Sequence, residues 1–170
     1  MKLILKSSFI LTLVLLTACK ILPERQEAPA DVIDATIDAK INPKNQQVSV
    51  LETLPLMNNA VLSLYNQAQE YYINNNFEKA IASLERAYEI QPNVGQVSQL
   101  LAEIHLHKGD FEHAHYWSSL ATKNGPAKGK SCEKSWRILA LAAENLGYIS
   151  QQTYALETKD NCIVKAGNRY

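Results

Sequence analysis

Small, aromatic and proline positions recur along this chain at an offset of 34 residues. The pairs, in the same order in both copies, are Ala68/Ala102, Phe77/Phe111, Ala80/Ala114, Ala87/Ala121 and Pro92/Pro126. A repeat of this length is typical of one helical hairpin that is copied and stacked, so that each copy buries the apolar face of the other. The pattern therefore predicts an all-α domain suited to binding other molecules rather than to catalysis.

Apolar runs and the residues that interrupt them predict where the helices begin and end. The expected helices run from Pro55 to about Ile73, Phe77 to Ile90, Val94 to Lys108, Phe111 to Lys123, Trp136 to Leu146 and Ile149 to Lys159. Residues 74–76 and 109–110 form turns, and Ser131 caps the fifth helix. The last two helices form a third, weaker copy, because Gln152 stands where a small residue is expected.

The residues at the repeated positions resemble the tetratricopeptide (TPR) family. The matching positions are Leu64, Ala68, Tyr71, Phe77, Ala80, Leu84, Ala87 and Pro92 in the first copy, and Leu101, Ala102, His105, Gly109, Phe111, Ala114, Ala121 and Pro126 in the second. Asn75 replaces the usual turn glycine, His105 an aromatic residue and Ser118 a bulky one. The resemblance implies antiparallel helical hairpins stacked as a short solenoid, with two clear repeats and a degenerate third at its end.

In the TPR family the first helix of each repeat lines a concave groove that binds partners. Matched copy by copy, the resemblance places nine residues in this groove: Tyr65, Gln69, Tyr72, Gln99, Glu103, Leu106, Lys134, Arg137 and Leu141. Some TPR domains clamp a peptide carboxylate with Lys and Asn, but Tyr65 and Gln69 stand at those positions here, so we expect no such clamp. Tyrosine and arginine often carry the energy of an interface. The alternative is that Tyr65 and Tyr72 only cover the core.

The N-terminus has the pattern of a signal peptide. Lys2 and Lys6 precede a brief apolar run that is too short to span a membrane as a mature helix. The following Leu-Thr-Ala-Cys19 resembles a bacterial lipobox, which implies cleavage after residue 18, acylation of Cys19 and firm anchoring by several acyl chains. Lys20, a second residue other than aspartate, implies the outer membrane of a Gram-negative bacterium. The alternative is an ordinary signal peptide with a chance cysteine.

Residues 19–55 differ in composition from the repeats, with four prolines, many Asp, Lys and Gln, and no aromatic residue. Such a segment predicts a disordered tether that reaches on the order of 120 Å when stretched. The residues Val32, Ile33, Ile37 and Ile41 recur near helical spacing, which leaves a short partner-docking helix as the alternative to the coil that we favour. The expected organisation is signal peptide 1–18, tether 19–55, TPR domain 56–162 and tail 163–170.

Two cysteines remain when Cys19 carries lipid, and an oxidising compartment favours their pairing. Cys132 opens the third repeat and Cys162 follows its end, and these points are neighbours in an antiparallel hairpin. We therefore predict a Cys132–Cys162 disulfide, with two unpaired thiols as the alternative. Closing a loop of this size stabilises a fold by about 3 kcal/mol.

Charge and candidate ligands exclude several functions. The chain has 17 basic and 17 acidic residues, and loss of Lys2 and Lys6 with residues 1–18 leaves a charge near −2, which gives no support to nucleic-acid binding. Four histidines lie within eleven residues (His105, His107, His113 and His115), but neighbours two apart on a helix point to different faces. We expect no metal and no cofactor. Without a nucleophile motif, phosphate-binding loop or paired carboxylates, we also expect no enzyme activity.

These observations predict an outer-membrane lipoprotein whose periplasmic TPR domain binds another envelope protein. Some small TPR lipoproteins act as activators of bifunctional penicillin-binding proteins and reach through the cell wall on a tether. Others act as pilotins for type IV pilus or secretion machinery, but those resemble longer arrays, so we favour the first class. A third alternative is a weak homo-oligomer, because short arrays expose apolar end faces.

Overall fold

A computed structural model describes residues 30–44 and 56–163 of the protein, and all regular secondary structure in these ranges is helical. The helices are α1 (Ala30–Ile41), α2 (Asn59–Ile73), α3 (Phe77–Ile90), α4 (Gly95–His107), α5 (Phe111–Asn124), α6 (Lys130–Asn145) and α7 (Ile149–Asp160). The predicted signal peptide, Cys19, the remainder of the tether and the tail from residue 164 lie outside the described residues. None of the described helices is both long and apolar enough to cross a membrane.

Helices α2 to α7 pair as three hairpins, α2–α3, α4–α5 and α6–α7, and the hairpins stack in chain order. The alanines at the repeated positions are buried at the crossings, where a larger side chain would hold the helices apart. They are Ala68, Ala80, Ala87, Ala102, Ala114 and Ala121. The structure thus confirms the predicted all-α fold of stacked antiparallel hairpins, and it confirms the third repeat as a helical pair.

The three hairpin turns share one backbone device. Asn75, Gly109 and Gly147 each adopt a left-handed conformation, with φ of 56°, 72° and 73°. In each turn the next residue donates its N–H to a carbonyl five residues earlier, as Asn76 does to Tyr71 at 2.8 Å. Glycine adopts this conformation without steric cost, and asparagine tolerates it better than most residues. Asn75 therefore does the work of the glycine that usually stands in this turn.

The open ends of the hairpins, where the first helix begins and the second ends, are closed in three different ways. In the first repeat the Gln91 side chain accepts from Asn58 N–H and donates to the carbonyl of residue 56, both at 3.1 Å. In the second repeat the backbones approach so closely that a Cβ on Gly95 would lie 2.5 Å from Gly125 Cα. In the third, Cys132 and Cys162 form a disulfide with a Cα–Cα distance of 5.7 Å, as predicted.

Two helix starts differ from the expectations. Helix α2 begins at Asn59 rather than near Pro55, because the Asn58 side chain accepts from Val61 N–H at 2.9 Å and caps the helix. Helix α6 begins at Lys130, so Ser131 lies inside the helix and does not cap it. Its N-cap is Gly129, at a φ of 96° that favours glycine.

The third repeat has a thin core. Leu139, Ala140 and Ala155 form a small apolar cluster of their own, against which Trp136 packs. Ala155 is the only described residue of α7 that is buried, and Ile149 at its start is 65% exposed. The disulfide therefore ties α6 to the end of a helix that buries a single side chain.

Candidate functional site: the concave groove

The first helices of the three repeats, α2, α4 and α6, line an open cavity of about 260 Å³. Six of the nine predicted groove residues contribute to its wall: Tyr65, Gln69, Tyr72, Gln99, Glu103 and Lys134. Ile73 and Leu100 add apolar surface. Positions matched one copy at a time along the sequence are thus brought to one surface, which we call the groove.

An ion pair spans the groove between α4 and α6. Lys134 Nζ lies 2.7 Å from a carboxylate oxygen of Glu103, and the Tyr72 hydroxyl donates to the other oxygen at 3.3 Å. The Glu103 side chain is only 7% exposed, so this carboxylate has little access to water. Burying an unpaired charge is costly, and the lysine is what compensates it here. The positive charge of Lys134 therefore balances the negative charge of Glu103 at the floor of the groove. Together with Tyr72, these side chains connect all three repeats.

Gln99 also connects α4 to α6 rather than offering a free amide. Its Nε2 donates to the Ser131 carbonyl at 2.7 Å and to Ser135 Oγ at 2.6 Å. Ser135 is buried. Gln99 thus holds the second and third repeats in register while it lines the groove wall.

The two groove tyrosines both line the cavity and cover the core. Tyr65 and Tyr72 are half-buried and pack against the main apolar cluster of the domain. Burial raises the pKa of the Tyr65 hydroxyl, and the negative charge of Glu103 raises it further. Tyr65 is therefore a neutral hydroxyl at physiological pH, and it can accept or donate a hydrogen bond to a ligand.

Arg137 and Leu141 lie away from this cavity, at a second one of about 210 Å³ between α1, α6 and α7. Lys40 of α1 lines the same cavity. The Arg137 guanidinium pairs with the buried carboxylate of Glu133, one helical turn earlier. The groove assignment of Arg137 and Leu141 therefore needs correction: they face the seat of α1, and Arg137 is committed to an internal partner.

Residues 30–41, for which we favoured a coil, form a helix that packs on the groove side of the domain. Helix α1 contacts α4 and α6, and its Ile37 and Ile41 are 9% and 1% exposed. Both belong to the same apolar cluster as Leu106, which is fully buried. Leu106 is therefore a core residue and not part of the open groove surface. After Arg137 and Leu141, it is the third predicted groove residue whose assignment the structure corrects. Burying an isoleucine contributes roughly 1.5–3 kcal/mol, so Ile37 and Ile41 together give α1 a modest stabilisation against the domain.

A third cavity, of about 370 Å³, lies between α1 and the turn end of the first repeat. Its lining includes Asp38 of α1, Tyr72, Phe77 and His107. The Tyr72 ring contacts the Phe77 and His107 rings, with centroids 6.0 and 5.8 Å apart. Tyr72 also lines the groove, so its ring is shared by the groove and the cavity beside α1. The sequence analysis did not predict that Asp38, Phe77 and His107 line one cavity. The available signal was the helical spacing of Ile37 and Ile41, which indicated a helix in this part of the chain.

The turn between α4 and α5 brings two histidines onto one carboxylate. Asp110 Oδ2 lies 3.0 Å from His105 Nδ1 and 2.8 Å from His113 Nδ1, and the two rings stack. Histidine and aspartate at such distances are potential zinc ligands. Reasoning from spacing within one helix missed this trio because the hairpin turn, and not helical periodicity, makes His105 and His113 neighbours.

Asp110 already has a structural role in this trio. Its side chain accepts from His113 N–H at 3.3 Å and so caps α5. Burial alone would raise the pKa of Asp110, but hydrogen bonds from His113 and His105 outweigh it and leave the pKa below its usual value. Burial lowers the pKa of His105, and the nearby Asp110 carboxylate only partly opposes this. Helix capping thus accounts for the arrangement without an ion.

Comparison with known proteins agrees with this geometry. Residues 61–94, which span α2 and α3, match the family model of the tetratricopeptide repeat. The two following hairpins repeat the same turn, and the second also repeats the buried alanines. The described hairpins form a short helical array of the tetratricopeptide-repeat type, and the family model covers the first of them. No curated protein matches the chain significantly.

Among solved structures, the TPR domain of this chain is similar to the globular C-terminal domain of LpoP from P. aeruginosa. The two are 26% identical, and the match covers 59% of this chain and 99% of that domain, with a TM-score of 0.51. The LpoP domain is thus matched over nearly its whole length. The likeness shows that this chain shares its fold with a globular domain of a solved structure.

Proposed function

We propose that this protein is a lipid-anchored outer-membrane lipoprotein whose periplasmic TPR domain binds another envelope protein through the groove. The observation that carries the proposal is the open cavity to which three separate helices contribute Tyr65, Gln69, Tyr72, Gln99, Glu103 and Lys134. A surface of aromatic, amide and charged groups is typical of protein interfaces, where tyrosine is enriched among the energetic residues. Its activity is binding, and it acts on the partner without catalysing a reaction itself.

The partner that we favour is a peptidoglycan synthase, a bifunctional penicillin-binding protein. Two features support this class over a pilotin. The array is short, with three hairpins in the described residues, whereas pilotins resemble longer arrays. A chain of proline-rich composition between Cys19 and the domain supplies the reach toward the cell wall.

Site-specific photocrosslinking in cells tests this proposal. A photoreactive amino acid at Gln69, an exposed groove position, is compared with one at Glu85, exposed on α3. We expect a penicillin-binding protein to be captured from Gln69 and not from Glu85. Equal capture from both positions, or capture of a pilus or secretion component from Gln69, would replace this proposal with one of the alternatives.

Self-association is a second candidate, and the end of the array favours it. Helix α7 leaves large apolar side chains exposed on the last repeat: Tyr148, Ile149, Tyr154 and Leu156. A second copy that covers this end would remove them from water. Sedimentation velocity of the wild type and of Ile149→Glu separates the cases: a dimer that the substitution dissociates supports self-association, and a monomer in both excludes it.

A further inference from the structure

Helix α1 has the composition and burial of a ligand laid into the concave side of the domain. Its Ile37 and Ile41 lie one helical turn apart and are buried against the domain, while its residues Asp38, Ala39 and Lys40 are exposed. An amphipathic helix that inserts aliphatic anchors into an apolar seat is a recurring mode of peptide recognition. The contact of α1 with α4 and α6 places this seat on the two first helices that also build the groove.

The seat of α1 continues into the groove without a gap in the lining residues. Tyr72 lines both the groove and the cavity beside Asp38, and α6 supplies Lys134 to the groove and Arg137 to the cavity beside Lys40. A helix longer than α1, or one that lies in the same seat from another protein, would therefore also contact the groove. The two surfaces form one continuous recognition face.

The contacts that close the three hairpins do not involve helix α1. It has 12 residues, a length at which an isolated helix is marginal in water, so its helicity depends on the seat. The chain from Asn42 to Asn58 joins it to α2 and spans up to about 55 Å when extended. The three hairpins close on their own contacts, through Gln91, the Gly95–Gly125 approach and the disulfide.

We propose that the partner binds this face with an amphipathic helix that presents two β-branched aliphatic residues one turn apart, and that α1 occupies the same seat in cis until the partner helix displaces it. This inference rests on the proposed function for the existence of an envelope partner. It adds the chemistry of the partner segment and a built-in competitor. A ligand that meets a seat filled in nine of ten molecules binds about tenfold more weakly than it binds the empty seat.

The test uses the purified full chain and a fluorescent peptide of residues 30–44. Ile37→Asp combined with Ile41→Asp empties the seat, and Ala39→Asp, at an exposed position of the same helix, is the matched control. We expect the peptide to bind the double variant at least tenfold more tightly than the wild type or the control. A peptide that carries the same two aspartates is expected not to bind. Ile37→Ala with Ile41→Ala repeats the measurement with a milder change if the aspartates prevent folding.

Hydrogen exchange and sedimentation decide between the remaining outcomes. Amides of residues 36–41 should be protected in the wild type and in the control but not in the double variant. Equal peptide binding to all three proteins would overturn the inference. So would a wild-type dimer that the double variant dissociates, because α1 would then sit in a second copy. Tight peptide binding to the double variant, together with no protein crosslinked from Gln69, would keep α1 as a displaceable occupant of the seat and reject the proposed envelope partner.

Discussion

Lys134 Nζ lies 2.7 Å from the Glu103 carboxylate and so joins the first helix of the third repeat to that of the second. The pair sits where a solenoid needs repeat-to-repeat contact, on the face that we propose for binding. Glu103 is buried and Lys134 is partly open to water. Loss of the ion pair therefore costs the carboxylate more stabilisation than it costs the ammonium group, which water can still solvate. The groove therefore contains an ion pair that stabilises the fold. A substitution of either residue that is meant to test binding would also change stability.

Lys134→Met should destabilise the domain by about 2–3 kcal/mol, because it leaves a buried carboxylate without its cation; fully buried pairs cost about 3–5 kcal/mol. Glu103→Gln in the same chain should recover much of that loss. Urea unfolding of both single variants and the double variant gives the coupling. Additive effects would show that the two charges do not interact in solution.

Replacing both Cys132 and Cys162 by serine should lower the free energy of opening the third repeat by about 3 kcal/mol, because the opened segment gains entropy when no bond closes its loop. The effect should be local, since only the third repeat is closed by this bond. Hydrogen exchange is the measurement: amides of α7 should exchange faster while those of α2 keep their protection. Uniform loss of protection along the chain would contradict a locally acting bond.

Gly95→Ala should cost about 1–3 kcal/mol, because the new Cβ would lie 2.5 Å from Gly125 Cα, and backbone cannot move aside as a side chain can. Chemical denaturation measures the loss. Ser150→Ala, at an exposed position in the first turn of α7, is the control and should change stability by less than about 0.5 kcal/mol. A stabilised Gly95→Ala variant would mean that the second hairpin is more open at this end.

Acidification should weaken the turn between α4 and α5. The pKa of His105 is lowered in the fold, so the unfolded chain binds its proton first and stability falls as pH drops below about 6.5. The pKa of Asp110 is also lowered, which extends the loss to below about pH 4. Urea midpoints between pH 8 and 5 measure the first effect. His105→Phe, which restores an aromatic residue without a titrating group, should flatten the curve over that interval.

Cys19→Ala should release the protein from the membrane fraction, because the predicted acyl chains provide the anchor. Fractionation of cells that express the wild type or this variant, followed by immunoblotting, measures it. Cys132→Ser is a matched control that changes a cysteine without touching the predicted lipidation site. Membrane retention of Cys19→Ala equal to that of the wild type would exclude the lipid anchor.

The hairpins and the disulfide could be predicted from the sequence because the decisive contacts are local. Alanines at the repeated positions meet across a single crossing, and Asn75, Gly109 and Gly147 each shape a turn of only a few residues. Cys132 and Cys162 belong to one hairpin, so their proximity follows from its antiparallel course. Six groove residues could be matched for the same reason, since each copy places its first helix on the same side.

The sequence-based assignments were wrong where another helix or side chain covers the residue. Arg137, Leu141 and Leu106 stand at groove positions by repeat register, but the presence of α1 and the Glu133 carboxylate removes them from the open surface. The trio around Asp110 was missed because two side chains from different helices converge only after the turn is made. The position of a residue within the repeat predicts which side of the domain it faces. It does not predict which other element covers that side.

By itself the sequence determined the repeat length, the three helical hairpins and the paired cysteines, and the resemblance to the TPR family implied which side of the domain carries the groove. These follow from side-chain size and turn chemistry between residues that are close along the chain. Only the tertiary structure decided that Ile37 and Ile41 fill part of that side, that Glu103 depends on Lys134, and that Arg137 is held within its own helix. The physical reason is that burial is a property of two surfaces, and the second surface is assembled only when the repeats have stacked.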